Sequence, residues 1–176
     1  MLGIKPLVET DFLAVEKIFI ETFPRTDDAD FVNAWRTKEC NWSLGLYYNA
    51  TLVGFAITCL DSATATTAAT AHLWFIAVSP TRRAGGAGTQ LLNAVMNAVA
   101  ADNYKLSLTP DNCPRIINWY KRHGFVVTKT MPFVHRDIPT CWMEWMSPPS
   151  SPTSLASACT QSEGSIEEFE LVAEVC

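Results

Sequence analysis

The stretch AHLWFIAVSPTRRAGGAGTQLLNAVMNAVAADNYKLSL, residues 71–108, constrains the fold most. It opens as an apolar run closed by Pro80, the pattern of a strand buried on both faces. From Gly86 to Ala101 the period changes, and Leu91, Leu92, Val95, Met96 and Val99 recur on one helical face. YKLSLTP then reads as a strand again. Strand, helix and strand in this order imply parallel neighbours in an α/β sheet.

The flanking segments extend the sheet. IKPLVETDFLAVEKIFIETFP begins as a short strand and becomes an amphipathic helix, with Phe12, Leu13, Ile18, Phe19 and Phe23 at roughly helical spacing and Pro24 as its stop. DDADFVNAWRTKEC reads as a second helix with Phe31, Val32 and Trp35 inward. WSLGLYY and TLVGFAITCL read as strands joined in a hairpin at Asn49-Ala50. CPRIINWYKRHG has Pro at the start and Gly at the end of a helix, and FVVTKTMPF and TCWMEWM are two last strands. The expected order is β-α-α-β-β-β-α-β-α-β-β over residues 1–146, one domain. Residues 147–176 are rich in Ser, Pro and Thr and then acidic; they are expected to be a disordered tail, in which IEEFELVAEVC can form a short helix.

Charge narrows the partners. Residues 1–146 hold all 13 Lys and Arg and 13 of the 18 Asp and Glu, so the body is neutral and offers no basic face for nucleic acid. There is no run of 18 apolar residues and no basic-then-apolar start, so a cytoplasmic chain without a membrane span is expected. The six cysteines form no CxxC pair and read as reduced thiols. Three isolated histidines make a metal site unexpected.

RRAGGAG, residues 82–88, is the stretch with chemistry in it. Gly86 and Gly88 fall where a helix starts, so first-turn amides and the helix dipole can seat a phosphate, with Arg82 or Arg83 adding a charged fork. A sharp turn with solvent-facing arginines fits this stretch equally well. A P-loop needs Gly-Lys-Ser/Thr, and GAGTQ has no lysine. A dinucleotide fingerprint needs a third glycine where Leu91 stands.

VSPTRRAGGAGTQLL resembles the acetyl-coenzyme-A motif of the GCN5-related N-acetyltransferase (GNAT) family, R/Q-x-x-G-x-G/A followed by two leucines, with Arg83, Gly86 and Gly88 in the motif positions. WYKRHGFVV resembles the family's second signature, and the element order matches too. The resemblance implies a GNAT-like mixed, strongly twisted sheet with helices on both faces. It implies acetyl-coenzyme A held by Ile76, Ala77, Val78, Arg82, Arg83, Ala84, Gly85, Gly86, Ala87, Gly88, Thr89, Asn112 and Tyr120. The pantetheine arm would lie along the strand before the turn, where its parallel neighbour splays away, with the Val78 amide toward the thioester carbonyl.

An amine must be neutral to attack a thioester, so a site of this type needs a proton acceptor and then a donor to the thiolate. Tyr120 takes the position of the family's donor tyrosine. His72 is the candidate base, and period-two alternation sets His72, Trp74, Ile76 and Val78 on one face. AHLWFIAVSPTRRAGGAG with WYKRHGF and CWMEW resembles the arylalkylamine N-acetyltransferase branch, which carries two alternate histidines on this strand; here Trp74 stands at the second. No cysteine sits in a nucleophile context, so direct attack is expected.

For the acceptor, Phe23, Trp35, Tyr47, Phe55, Trp74 and Phe133 can line an aromatic amine pocket or can be ordinary core. Asp27, Asp28 and Asp30 form an acidic loop that would suit a polyamine, or a solvated loop. His123 is expected to face solvent at a helix end, and His135 to lie on a loop near the mouth. The leading expectation is an N-acetyltransferase acting on a small primary amine, arylalkylamine or polyamine-like, as monomer or homodimer. A protein or peptide N-acetyltransferase, or a non-catalytic acetyl-coenzyme-A-binding module, are the alternatives.

Overall fold

The computed structural model describes residues 2–23, 28–61, 70–82, 85–110, 113–135 and 138–146, with backbone alone for 28, 61, 131–135 and 138–139. The tail from 147 and the small-residue loop over 62–69 lie outside the described residues. Among the described residues seven strands, β1 (Leu2–Pro6), β2 (Leu44–Tyr48), β3 (Thr51–Asp61), β4 (Thr70–Val78), β5 (Lys105–Leu108), β6 (Val126–His135) and β7 (Ile138–Trp145), form one sheet in the order β1-β2-β3-β4-β5-β7-β6. Four α-helices among the described residues, α1 (Phe12–Thr22), α2 (Asp28–Thr37), α3 (Ala87–Ala101) and α4 (Pro114–Arg122), complete the expected order. β4 and β5 are parallel, and the other neighbours antiparallel.

Two cores sandwich the sheet, which is why β3 and β4 are apolar on both sides. On one face Val15, Ile18 and Phe19 of α1 and Phe31 and Trp35 of α2 pack on Phe55, Ile57, Phe75 and Ala77. On the other, Leu91, Leu92, Val95 and Val99 of α3 and Trp119 and Tyr120 of α4 pack on Ala56, Leu73, Ile76, Leu106 and Met143. Each fully buried large side chain contributes roughly 1.5–3 kcal/mol relative to exposure.

The inward stripe of α1 is Val15, Ile18, Phe19 and Thr22, an i, i+3, i+4, i+7 set, with Phe12 and Phe23 packed at its ends. Leu13 was expected on that stripe but is 73% exposed, because one residue past Phe12 the helix has turned about 100° away. α2 starts at Asp28, so Asp28 and Asp30 belong to its first turn rather than to a loop, where acids complement the helix dipole; Asp27 lies outside the described residues. The hairpin at Asn49-Ala50 is present, with both residues left-handed (φ 48° and 66°), the backbone of a type I′ turn.

Candidate active site at the divergence of two parallel strands

β4 and β5 pair only from Thr70↔Lys105 to Leu73↔Leu108. Beyond Leu73, β4 runs on through Val78 while β5 ends, followed by Thr109 and Pro110. Pro110 has no amide hydrogen with which to continue a ladder, and its carbonyl accepts a hydrogen bond from the Thr140 hydroxyl of β7. The chain after β5 is thereby drawn toward β7 and away from β4. Past Leu73, β4 has no strand paired to it on this edge among the described residues.

A second irregularity sits at the same place. The β3–β4 register slips by one residue, from Ile57↔Phe75 to Thr58↔Leu73, which leaves Trp74 without a partner on β3. Such a bulge reverses the side-chain alternation of β4. Ala71 and Leu73 before it, and Ile76 and Val78 after it, all face the α3 core, while Phe75 and Ala77 face the α1–α2 core. The expected common face of His72, Trp74, Ile76 and Val78 is therefore corrected. His72, registered opposite Cys59 of the α1–α2 core, lies on the opposite face from Ile76 and Val78.

His72 occupies the next-to-last row before the β4–β5 pairing ends. Its ring stacks on Trp142 of β7 (4.9 Å between centroids, 27°) and meets Trp74 edge-on at 5.9 Å. Its Nδ1 lies 2.9 Å from the hydroxyl of Ser107, its register partner on β5. Ser107 donates its one proton to the Ala71 carbonyl (3.2 Å), so it accepts from His72 Nδ1–H, and the imidazole lone pair is on Nε2.

The rings around His72 form a wall. Phe23 at the end of α1 lies 5.6 Å from Phe75, Phe75 lies 6.4 Å from Trp74, and Trp74 leads to His72 and Trp142. Trp74 is 40% exposed, an unusual state for so large an apolar ring. Of the expected pocket residues, Phe23 and Trp74 join this wall and three do not. Trp35 is buried beside Phe12 with its indole N–H on Glu9 (3.2 Å), and Phe55 is wholly inside the α1–α2 core. Tyr47 lies toward the far edge of the sheet, donating to Asp11 at 2.7 Å; burial first, and then the Asp11 carboxylate, push its pKa well above the usual phenol value. These three serve packing because their strand and helix faces point inward there. The Phe133 side chain is outside the described residues.

Tyr120 lies in the last turns of α4, 7% exposed, its ring edge-on to Phe125 at 5.4 Å. Its carbonyl accepts from the amides of His123 and Phe125, which locks the helix end. It belongs to the α3–α4 core, so it and His72 belong to opposite faces of the sheet. His123 caps α4 half-buried, with Nδ1 2.8 Å from the Trp119 carbonyl, rather than facing solvent. His135 ends β6, paired with Ile138, rather than lying on a loop.

The glycine turn has the backbone that a seat for an anion needs. Gly85 and Gly86 both have positive φ (86° and 73°), and Gly86 caps α3 with no side chain bonded to the first turn. The amides of Ala87, Gly88 and Thr89 therefore have no partner within the helix. Ile76, Ala77 and Val78 approach this turn as the buried end of β4. Arg82 stacks its guanidinium over Tyr48 (4.3 Å) beside a cavity of about 240 Å³ lined also by Val53, Gly85 and Ala87. Arg83, Ala84 and Asn112 lie outside the described residues. Open first-turn amides beside left-handed glycines are suited to an anionic group such as a pyrophosphate.

Ser107, Phe75 and Trp142 were missed as site residues. Ser107 is a hydroxyl between Leu106 and Leu108 in the middle of an apolar stretch, and that signal was available. Trp142 needed the strand order, since β7 lies beside β5 only through a sheet that inserts it before β6. Burial raises the Cys59 and Cys141 thiols, so neither is a poised thiolate.

Residues 12–125 match the model of the acetyltransferase (GNAT) family, and the chain belongs to that family, N-acetyltransferases whose cosubstrate is acetyl-coenzyme A. A search of curated proteins returned no match. Among solved structures, the chain is similar to Naa50 of Arabidopsis thaliana, crystallised with the bisubstrate analogue CoA-Ac-MVNAL (TM-score 0.66, 20% identity, 81% of this chain and 96% of that one). It is similar to the ribosomal-protein-S18-alanine N-acetyltransferase of Escherichia coli (0.68, 20%, 87% and 100%). A GNAT acetyltransferase of Elizabethkingia anophelis with acetyl-CoA bound is a third (0.64, 17%, 82% and 97%). At these identities the likeness carries the fold.

Proposed function

We propose that the protein acetylates a small primary amine by direct attack on acetyl-coenzyme A, with His72 as base and Tyr120 as acid. The observation that carries this reading is the position of His72, beside the β4–β5 divergence and within the aromatic wall of the α1–α2 face. The amides of Ala87, Gly88 and Thr89 hold the pyrophosphate, with Gly85 and Gly86 giving close approach. Ile76, Ala77 and Val78 line the pantetheine path. When bound, acetyl-coenzyme A supplies the activated acetyl group.

The amine enters along Phe23, Phe75, Trp74 and Trp142. His72 Nε2 takes the proton that converts the arriving ammonium to a neutral amine and passes it to solvent. As the N–C bond forms and the C–S bond breaks, His72, neutral again, takes the second proton from nitrogen and returns it to solvent, and Tyr120 supplies one to the departing sulfur. Reprotonation of Tyr120 closes the cycle. With one histidine on this strand, Ser107 orients the ring. Trp74, at the place of a second histidine in the arylalkylamine branch, serves as a wall for the acceptor instead.

The test is acetyl transfer from acetyl-coenzyme A to a panel of alkylamines, arylalkylamines and short peptides, alongside calorimetric titration with the same donor. Transfer to small amines, reduced about a hundredfold or more in His72→Gln with donor binding kept, is the expected result. Transfer to peptide N-termini alone would replace the acceptor class, in line with the acceptors named for two of the structural relatives. Donor binding without transfer to any acceptor would make the chain a binding module.

A further inference from the structure

Resting on the small-amine reading, we propose that Glu144 is a second substrate anchor and that the preferred acceptor is a diamine, a primary amine carrying another cation. His72, Ser107 and Glu144 stand in one row across three adjacent strands: His72 registers with Ser107 on β5, and Ser107 with Glu144 on β7. Register partners share a face, so the carboxylate lies on the same side of the sheet as the base. Two strand spacings put the outer Cα atoms of the row about 10 Å apart.

Trp142 connects the two ends. Its ring stacks on His72, and its Nε1–H donates to Glu144 Oε1 at 3.1 Å. The Thr128 hydroxyl of β6 donates to the same oxygen at 3.4 Å. Both donors thus hold Oε1, while Oε2 takes no hydrogen bond among the described residues. No lysine or arginine nitrogen lies within 4 Å of this carboxylate among the described residues, where the one ion pair is Lys38 with Glu9. A half-buried carboxylate fixed through one oxygen and lacking a countercharge is suited to accept an ammonium at the other. The indole spans the interval, apolar enough for a short methylene chain and electron-rich enough for a cation at its face. A monoamine would satisfy His72 and leave Glu144 uncompensated.

The experiment compares kcat/KM for 1,4-diaminobutane, 4-amino-1-butanol and 1-aminobutane in the wild-type full chain and in Glu144→Gln, with acetyl-coenzyme A saturating. Glutamine keeps an oxygen for Trp142 and Thr128 and removes the charge. The wild type should prefer the diamine about tenfold over both partners lacking the second cation, and Glu144→Gln should erase that preference. The alcohol needs no variant, so the comparison stands even where Glu144→Gln does not fold. Equal use of the three acceptors by the wild type, or an undiminished preference in folded Glu144→Gln, would overturn the proposal and leave the acetyltransferase reading intact. Absence of transfer to every small amine would overturn both.

Discussion

His72 and Ser107 are register partners on the one parallel pair among the described strands, joined Nδ1 to Oγ at 2.9 Å, and Ser107 in turn donates to the Ala71 carbonyl. The imidazole is thereby held in one tautomer by the strand to which it is paired. Ser107→Ala should lower kcat about tenfold, since the imidazole loses its orienting partner. Ser107→Thr, which keeps the hydroxyl, should recover most of the loss. Steady-state kinetics against an amine, with donor affinity followed by calorimetry, checks this; a fall in donor affinity of the same size would place Ser107 in coenzyme A binding instead.

Gly86 has φ 73° at the N-cap of α3, a conformation that strains β-branched side chains. Gly86→Val should weaken acetyl-coenzyme A binding at least about tenfold and cost roughly 1–3 kcal/mol of stability. Calorimetry on protein shown to be folded by circular dichroism separates the two effects. Undiminished binding would move the pyrophosphate away from this turn.

The order of elements was legible because period and punctuation agreed: the two-sided apolar run of β4, the helical stripe of α3, and Pro114 and Gly124 around α4 each point one way. The chemistry of β4 was less legible. Alternation over residues 72–78 is a true local pattern, yet the unpartnered Trp74 inverts it, and nothing in AHLWFIAV marks which residue a bulge will leave out. Likewise Trp35, Tyr47 and Phe55 are indistinguishable by type from Trp74 and Phe23. Only the placement of α1 and α2 over β3 decides that Trp35 and Phe55 are packed inside. Trp142 and Glu144 come into the site through the insertion of β7 beside β5, a tertiary event with no local signature.

Ala50 occupies the second central position of the β2–β3 hairpin with φ 66°, a conformation that its Cβ disfavours. Type I′ turns favour Asn-Gly, and here Asn49 is followed by alanine. Ala50→Gly should stabilise the fold by about 1 kcal/mol and raise Tm by about 2–6 °C, visible in thermal melts. No change, or a loss, would mean that the turn relaxes out of the left-handed region.

Alkaline stability should depend on Tyr47. Its phenol is held protonated in the fold by burial and by the hydrogen bond to Asp11, well above the value of about 10 that it takes in an unfolded chain. A raised folded pKa means that above pH about 10 the unfolded state binds fewer protons than the native one, so stability falls as pH rises. The contribution is complete below that pH and is lost on the way up to the folded value. Burial raises the Cys59 thiol in the same sense, starting the decline near its own unfolded value of about 8.5. Urea unfolding of wild type and Tyr47→Phe between neutral pH and pH 11 tests this. The variant should be less stable by about 1 kcal/mol at neutral pH, having lost the bond to Asp11, and should decline less steeply above pH 10. Parallel curves for the two proteins would assign the alkaline loss to other groups.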